Sequence, residues 1–386
     1  MMTDEKTKEK WNLPVGPLAL IALPGCEGLV NSVDSYLASW RRNRGLEVSG
    51  YQKDSYLLSV SLPRFGSGEA KGVIQKSVRG DDLYIVVDVC NYEVEYSMYG
   101  ESNPMSPDDH FQNLKRVIAA AAGKAKRINV IMPFLYESRQ HKRSARESLD
   151  CAMALQELTS MGVTNIITFD AHDPRVQNAI PMNGFETIMP TYQMVKQMLK
   201  TEEMIIDSDH MMVISPDEGA VGRAIYFSNM MGLDVGMFYK RRDYTRIVDG
   251  KNPIVAHEFL GSSVEGKDVI IVDDMIASGE SVIDVAGQLK ERRAGRVFVC
   301  ATFGLFTKGM EKFDRAREAG LIDRIYTTNL IYQSPELLSR DYYTSVDMSK
   351  YLATLIDNLN HDTGIESLLS PTFKIQKRVM EFKEKQ

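Results

Sequence analysis

Residues 266–281 read G-K-D-V-I-I-V-D-D-M-I-A-S-G-E-S. The apolar run Val269 to Val272 stops on two adjacent carboxylates, Asp273 and Asp274, and a loop of small and hydroxyl residues leads into a helix-like stretch from Val282 to Arg292. A short β-rich run, a loop and then a helical period describe a buried parallel strand and its crossover. The two acids would repel an anion, yet Ala277-Ser278-Gly279-Glu280-Ser281 offers backbone N–H groups and hydroxyls at the positive end of a helix dipole, a setting that cradles phosphate. One ligand reconciles the two. Acids accept hydrogen bonds from vicinal sugar hydroxyls, as they do with ribose, and amides hold the sugar's phosphate, so the stretch reads as a ribose-5-phosphate site. The plainer alternative is an acidic first turn favoured by the dipole alone.

Outward from this strand the same alternation recurs. Ile128 to Met132 reads as a strand, Arg146 to Met161 as a helix and Ile166 to Phe169 as a strand. Met211 to Ser215, Val235 to Tyr239 and Val297 to Thr302 read as further strands, with a helix over Val221 to Met231. The pattern predicts an α/β protein with parallel sheets flanked by helices. The Pro and Gly between Ile180 and Pro190 mark a domain junction. Residues 91–112, polar and carrying Gly100, Pro104 and Pro107, read as a loop or lid-like insertion. The first dozen and last fifteen or so residues are charged and read as peripheral.

The totals bound the function. The 386 residues suggest two domains of ordinary size, and 44% hydrophobic with 25% charged residues fits a soluble globular chain. A net charge of −6 argues against general nucleic-acid binding, so any positive site is local. Cys26, Cys90, Cys151 and Cys300 form no C-x-x-C pair, which disfavours a disulfide framework or zinc cage and fits a reducing cytoplasm. Val15 to Cys26 ends in L-P-G-C and imitates a lipoprotein signal. It follows a mixed-charge segment and contains two prolines, so it reads instead as a first strand ahead of a helix over Val30 to Arg42. Nothing else approaches the roughly 20 apolar residues of a membrane span.

In parallel α/β sheets ligands sit beyond the carboxyl ends of strands, and five predicted strand ends carry chemistry. After Ile128 to Met132 comes Y-E-S-R-Q-H-K-R-S-A-R with Arg139; after Ile166 to Phe169, Asp170-Ala171-His172-Asp173. After Met211 to Ile214 comes S-P-D-E-G-A-V-G-R with Asp217; after Val235 to Phe238, Tyr239-Lys240-Arg241-Arg242; and then the opening stretch. Each alone has a bland reading as solvated charge, a structural histidine or a turn. Their recurrence at successive strand ends favours a site. No G-x-x-x-x-G-K-[ST] match exists, because Ala follows Gly123-Lys124 and Asp follows Gly266-Lys267.

V-I-I-V-D-D-M-I-A-S-G-E-S resembles the phosphoribosyl diphosphate (PRPP) binding motif shared by phosphoribosyltransferases and ribose-phosphate pyrophosphokinases. Four further segments resemble the pyrophosphokinase, or PRPP synthetase, family: R-F-G-S-G-E (64–69) is similar to its R-F-S-D-G-E, S-R-Q-H-K-R (138–143) to its A-R-Q-D-R-K loop, F-D-A-H (169–172) to its V-D-L-H and Y-K-R-R (239–242) to its D-K-R-R. S-P-D-E-G-A-V-G-R also matches the family's S-P-D-x-G-G-V-x-R, and the likeness runs in order from about Leu18 to Pro371.

The resemblance implies two tandem phosphoribosyltransferase-like domains, here 18–185 (with the insertion 91–112) and 186–365, followed by an extension over 366–386. Its active site lies between the domains and across a subunit contact of a homo-oligomer, a dimer or hexamer. It implies magnesium served by His172 and Asp217, and catalytic charge from Arg139, Lys240 and Arg242. ATP would be bound by Phe65, Glu69, Arg139 and Gln140, with Phe65 and Glu69 meeting the adenine of a neighbouring subunit's ATP. Ribose 5-phosphate would be bound by Asp273, Asp274, Ser278, Gly279, Glu280 and Ser281. The implied reaction transfers the diphosphoryl group of ATP to ribose 5-phosphate. The rivals are a PRPP-consuming phosphoribosyltransferase and a non-catalytic nucleotide-binding regulatory paralogue. Four residues depart from the family pattern: Ser67 for an Asp, His141 for an acid, Ala277 for an Asp and Glu280 for a Gly. Glu280 sets a carboxylate beside the phosphate loop, so its side chain is expected to point away.

Overall fold

A computed structural model of the protein describes residues 12–242 and 254–384, without the side chains of 240–242 and 254–257. The chain forms two compact units. Among the described residues, the first contains those up to Thr168, Arg175–Glu186 and Ser349–Ser370; the second contains Phe169–Pro174, those between Thr187 and Met348, and those from Pro371.

The first stretch of chain runs β1 (Leu18–Ala22), α1 (Glu27–Arg44), β2 (Val60–Ser61), β3 (Val73–Ile74), β4 (Asp82–Val86), β5 (Glu95–Met98), β6 (Glu101–Pro104), α2 (Pro107–Ala121), β7 (Arg127–Ile131), α3 (Asp150–Ser160), β8 (Asn165–Phe169) and β9 (Gly184–Ile188). A five-stranded sheet has the order β1-β4-β7-β8-β9, with β1, β4, β7 and β8 parallel. All five residues of β4 are buried, as expected for a strand covered on both faces. Residues 91–112 are not a loop: β5 and β6 pair as an antiparallel hairpin, and α2 starts at Pro107 behind a capping box made by Ser106 and Asp109.

Onward come α4 (Thr191–Thr201), β10 (Met211–Ser215), α5 (Val221–Met231), β11 (Asp234–Arg242), β12 (Ile254–Leu260), β13 (Asp268–Ile276), α6 (Glu280–Glu291), β14 (Val297–Gly304), α7 (Glu311–Glu318), β15 (Arg324–Thr328), α8 (Pro335–Leu338) and β16 (Tyr343–Val346). They build a seven-stranded sheet, β12-β11-β10-β13-β14-β15-β16, parallel except where β12 pairs antiparallel with β11. Side chains alternate across the strands. Met212, Ile214, Val269, Ile271, Val297 and Val299 enter one core layer with Val285 and Leu289 of α6. Met211, Val213, Ile270, Val272, Phe298 and Cys300 enter the opposite layer, with Met194 and Met198 of α4 and Ala224 and Phe227 of α5.

The tail departs from the linear division expected from the sequence. α9 (Ser349–Asn360) and α10 (Glu366–Leu369) belong to the first unit, where α9 packs on α1. Buried ionic groups hold α9 in place: Asp357 accepts from Arg41 and Arg44, and Asn360 donates to Asp82, which also accepts from Arg127. α11 (Thr372–Lys383), expected to be peripheral, instead buries Ile375 and Val379 in the second unit's core. Of the first dozen residues only Asn12 is among those described.

Candidate active site

The carboxyl end of β13 carries a network of buried polar side chains in the second unit. Asp274 is buried, and its Oδ2 meets Nδ1 of His172 at 2.6 Å. A carboxylate accepts there, so the neutral imidazole carries its proton on Nδ1 and its lone pair on Nε2, the arrangement of a metal-ligating histidine braced by an acid. His172 sits in the loop after β8, where Asp170 turns the chain in a left-handed conformation (φ 39°). That turn is held by Arg223 of α5, whose Nε donates to Asp170 Oδ1 at 2.6 Å and whose Nη2 donates to the carbonyls of Ala171 (3.2 Å) and His172 (3.4 Å). Thr302 of β14 donates to the other oxygen of Asp170 at 2.7 Å, and Arg223 lies 3.6 Å from Asp274.

Charge is distributed unevenly over the paired acids. Burial opposes ionisation of Asp274, but the hydrogen bond from His172 and the charge of Arg223 hold its carboxyl below the ordinary range. Burial, and then the charge of Asp274, push Asp273 well above that range, with Asp217 adding in the same direction. The carboxyl ends of β10 and β13 therefore gather mutually repelling acids, a field that a cation or donating hydroxyls would relieve. Asp217 starts the turn into α5, its Oδ1 accepting from the N–H of Gly219 at 2.9 Å and of Ala220 at 3.3 Å. Among the described residues no three or more His, Cys, Asp or Glu side chains converge as a metal cage. His172 and Asp217 still suit magnesium, which takes few protein ligands and relies on water and substrate phosphate.

Beyond β13 the loop is locked from below. Ala277 accepts from the N–H of Thr307, and Gly279 caps α6 with φ 78°. A Cβ on Gly279 would lie 2.1 Å from Cζ of Phe313, so only glycine fits. The first N–H groups of α6 have no partner within the helix and define an anion-binding end. Lys240 and Arg242, expected just past a strand, lie within β11 itself, next to a register shift between Arg241 and Arg242; their side chains lie outside the described residues.

The other expected residues belong to the first unit. Phe65 is 56% exposed on a tight turn, with Gly68 N–H donating to the Phe65 carbonyl and Phe65 N–H to the Glu69 carbonyl. Glu69 is exposed nearby, and Arg139 and Gln140 are exposed in the turn after β7, where Gln140 N–H donates to the carbonyl of Glu137.

Two family models match the chain: the N-terminal domain of ribose phosphate pyrophosphokinase over residues 18–162, and the phosphoribosyl synthetase-associated domain over residues 245–370. The chain belongs to the ribose-phosphate pyrophosphokinase family. Relatives named ribose-phosphate pyrophosphokinase include that of Shewanella oneidensis, 29% identical over 80% of this chain and 89% of the relative. That of Vibrio parahaemolyticus is 27% identical over 81% and 91%. The fold matches the crystal structure of phosphoribosylpyrophosphate synthetase from Mycobacterium smegmatis with a TM-score of 0.71 at 21% identity, covering 89% of this chain and 99% of that one.

Two departures from the ribose-phosphate pyrophosphokinase pattern find local explanations. Glu280 is drawn aside by Lys308 (2.9 Å) and Lys312 (2.7 Å), both donating to its Oε1. Their hydrogen bonds, Lys312 foremost, hold its carboxyl down at about 2. Ser67, in place of an acid, donates to Oε2 of Glu69 at 3.0 Å. The sequence reading assigned no role to Arg223, Asp170, Thr302, Lys308 or Lys312. Arg223 is the last residue of S-P-D-E-G-A-V-G-R, which was the available signal, whereas neither lysine stands in a recognisable motif.

Proposed function

We propose that this member of the family is an ATP-dependent ribose-phosphate diphosphokinase, transferring the β,γ-diphosphoryl group of ATP to the 1-hydroxyl of ribose 5-phosphate to give PRPP and AMP. The observation that carries this reading is the succession, along one strand and loop, of Asp273 and Asp274 and then the glycine-capped start of α6. Acids for vicinal hydroxyls and amides for a phosphate fit a phosphorylated ribose.

The 1-hydroxyl attacks the β-phosphorus in line with the departing AMP, its proton leaving to solvent or phosphate oxygen, and no side-chain nucleophile is needed. Asp273 and Asp274 orient the sugar, and Ser278, Gly279 and Ser281 hold its phosphate while Glu280 is kept aside. Arg139, Lys240 and Arg242 meet charge developing on the transferred group, and Phe65, Glu69 and Gln140 engage the nucleotide. His172 and Asp217 would hold magnesium, which when bound neutralises and orients the phosphate oxygens. Arg223 positions His172 through Asp170 and the loop carbonyls. A homo-oligomer, dimer or hexamer, and a cytoplasmic location complete the reading; among the described residues no helix is long and apolar enough to cross a membrane.

Incubation with ATP, magnesium and ribose 5-phosphate should yield AMP and PRPP in equal amounts. Nucleotide binding without either product would favour a regulatory paralogue, and PRPP consumption with a free base would favour a transferase.

A further inference from the structure

The hairpin β5–β6 lies against the Phe65 loop, and the reading above gives it no task. Its two-residue connection, Tyr99-Gly100, pairs Met98 with Glu101 and has both φ angles positive, 51° and 85°. Such turns favour Asn-Gly or Asp-Gly, and an aromatic residue at the first position adopts an unfavourable conformation. The side chain supplies no compensating contact: it is 81% exposed, and neither its ring nor its hydroxyl has a partner among the described residues. Strained, exposed residues of this kind persist where function requires them.

The tip is fastened to the loop that carries Phe65. Tyr99 N–H donates to the Gly66 carbonyl at 2.9 Å. Arg64 lies 3.7 Å over the Tyr96 ring while donating to the Gly68 carbonyl (3.0 Å) and to Asp109 (3.2 Å). Met98 packs so closely that a Cβ on Gly68 would lie 2.7 Å from its sulfur. Hairpin and loop form one braced piece presenting two solvent-facing rings, from Phe65 and from the residue bonded to its neighbour.

We infer that Tyr99 is a second base-contacting residue, which with Phe65 engages the purine of the donor nucleotide and helps select purine over pyrimidine. This rests on the ATP-dependent reading above. An aromatic ring stacks on any base, more strongly on the larger purine surface, and a phenol hydroxyl can also reach a base edge. The loss of one stacking partner corresponds to about a tenfold change in affinity or more.

Tyr99→Asn separates this role from folding, because asparagine suits the turn better. It should raise or preserve the unfolding temperature while raising KM for ATP about tenfold, with smaller effects on kcat and on KM for ribose 5-phosphate. Tyr99→Phe should restore most of the ATP affinity, and the preference for ATP over CTP in kcat/KM should fall in Tyr99→Asn. Titration calorimetry with ATP on the same variants reads the contact without turnover. If the wild type makes no PRPP, the proposed activity fails, while the ATP affinities still decide the role of Tyr99. Unchanged ATP affinity and KM in Tyr99→Asn would overturn the inference. A loss accompanied by dissociation of an oligomer would also overturn it and assign the ring to a contact between subunits.

Discussion

Replacing Arg223 with methionine removes the charge that braces the loop bearing His172. The side chains of Arg223 and Asp170 are 10% and 4% exposed, and they meet at 2.6 Å. Without the guanidinium, Asp170 keeps only the bond from Thr302 as a side-chain hydrogen bond among the described residues, and two loop carbonyls lose their donor. Breaking one half of a buried ion pair costs about 3–5 kcal/mol, a large share of the roughly 5–15 kcal/mol that holds a domain folded. Asp170→Asn combined with Arg223→Met leaves no unpaired charge at that pair and should recover much of the loss, with a coupling of roughly 2–3 kcal/mol. Urea midpoints at neutral pH for the wild type, both single variants and the double variant measure this cycle. Burial already pushes the Asp170 carboxyl up, against the pull of Arg223, and without Arg223 it rises further. An acid whose folded value exceeds its unfolded one binds a proton more tightly when folded, so stability is greatest below the unfolded value and falls as pH rises through the folded one. The Arg223→Met deficit should therefore shrink on acidification from neutral pH. A deficit under about 1 kcal/mol, against the size expected for a broken buried pair, or singles that simply add, would refute the brace.

Three further outcomes follow from the geometry. Gly279→Ala meets both Phe313 and a left-handed backbone, so it should lose about 2–5 kcal/mol of stability from the two effects together and raise KM for ribose 5-phosphate; an unchanged unfolding temperature would contradict the packing. The Glu280 carboxyl should titrate at about 2 by carboxyl NMR, against an ordinary 4.5, and return toward the ordinary value in Lys308→Ala/Lys312→Ala. Because the folded value is depressed, the clamp contributes above the unfolded value and is lost as pH falls through the folded one; a wild-type midpoint near 4.5 would refute it. Asp357→Ala removes the counter-charge of Arg41, whose side chain is 1% exposed and keeps only its hydrogen bond to the Asn360 side chain among the described residues, and should cost about 3–5 kcal/mol with faster proteolysis at residues 361–370; resistance equal to the wild type would show that α9 is held by other contacts.

Much of the proposed site was legible because its parts are contiguous. Asp273, Asp274 and the Ser278–Ser281 loop share one strand, loop and helix start, and local order alone puts acids before amides. The alternation of Val269 to Val272 was equally readable, since both faces of β13 are covered and every side chain along that run must be apolar. The tail was misread because charge was taken for exposure: in α11, Ile375 and Val379 face the core while Lys374, Lys377 and Glu381 lie at other positions of the same helix. The insertion was misread because Tyr99-Gly100 lacks the Asn-Gly signal of a hairpin, and its strands are too polar to alternate.

The sequence by itself determined the alternation of elements, the family and the residues that succeed one another at each strand end. Only the tertiary structure decided which groups act on one another. Arg223 reaches Asp170 across 53 positions, Arg41 reaches Asp357 across 316, and Lys308 and Lys312 reach Glu280 across 28 and 32. Periodicity reports which face of an element is buried, but a buried charge acquires its partner only when distant elements pack, and at those separations many partners are compatible with the same local pattern.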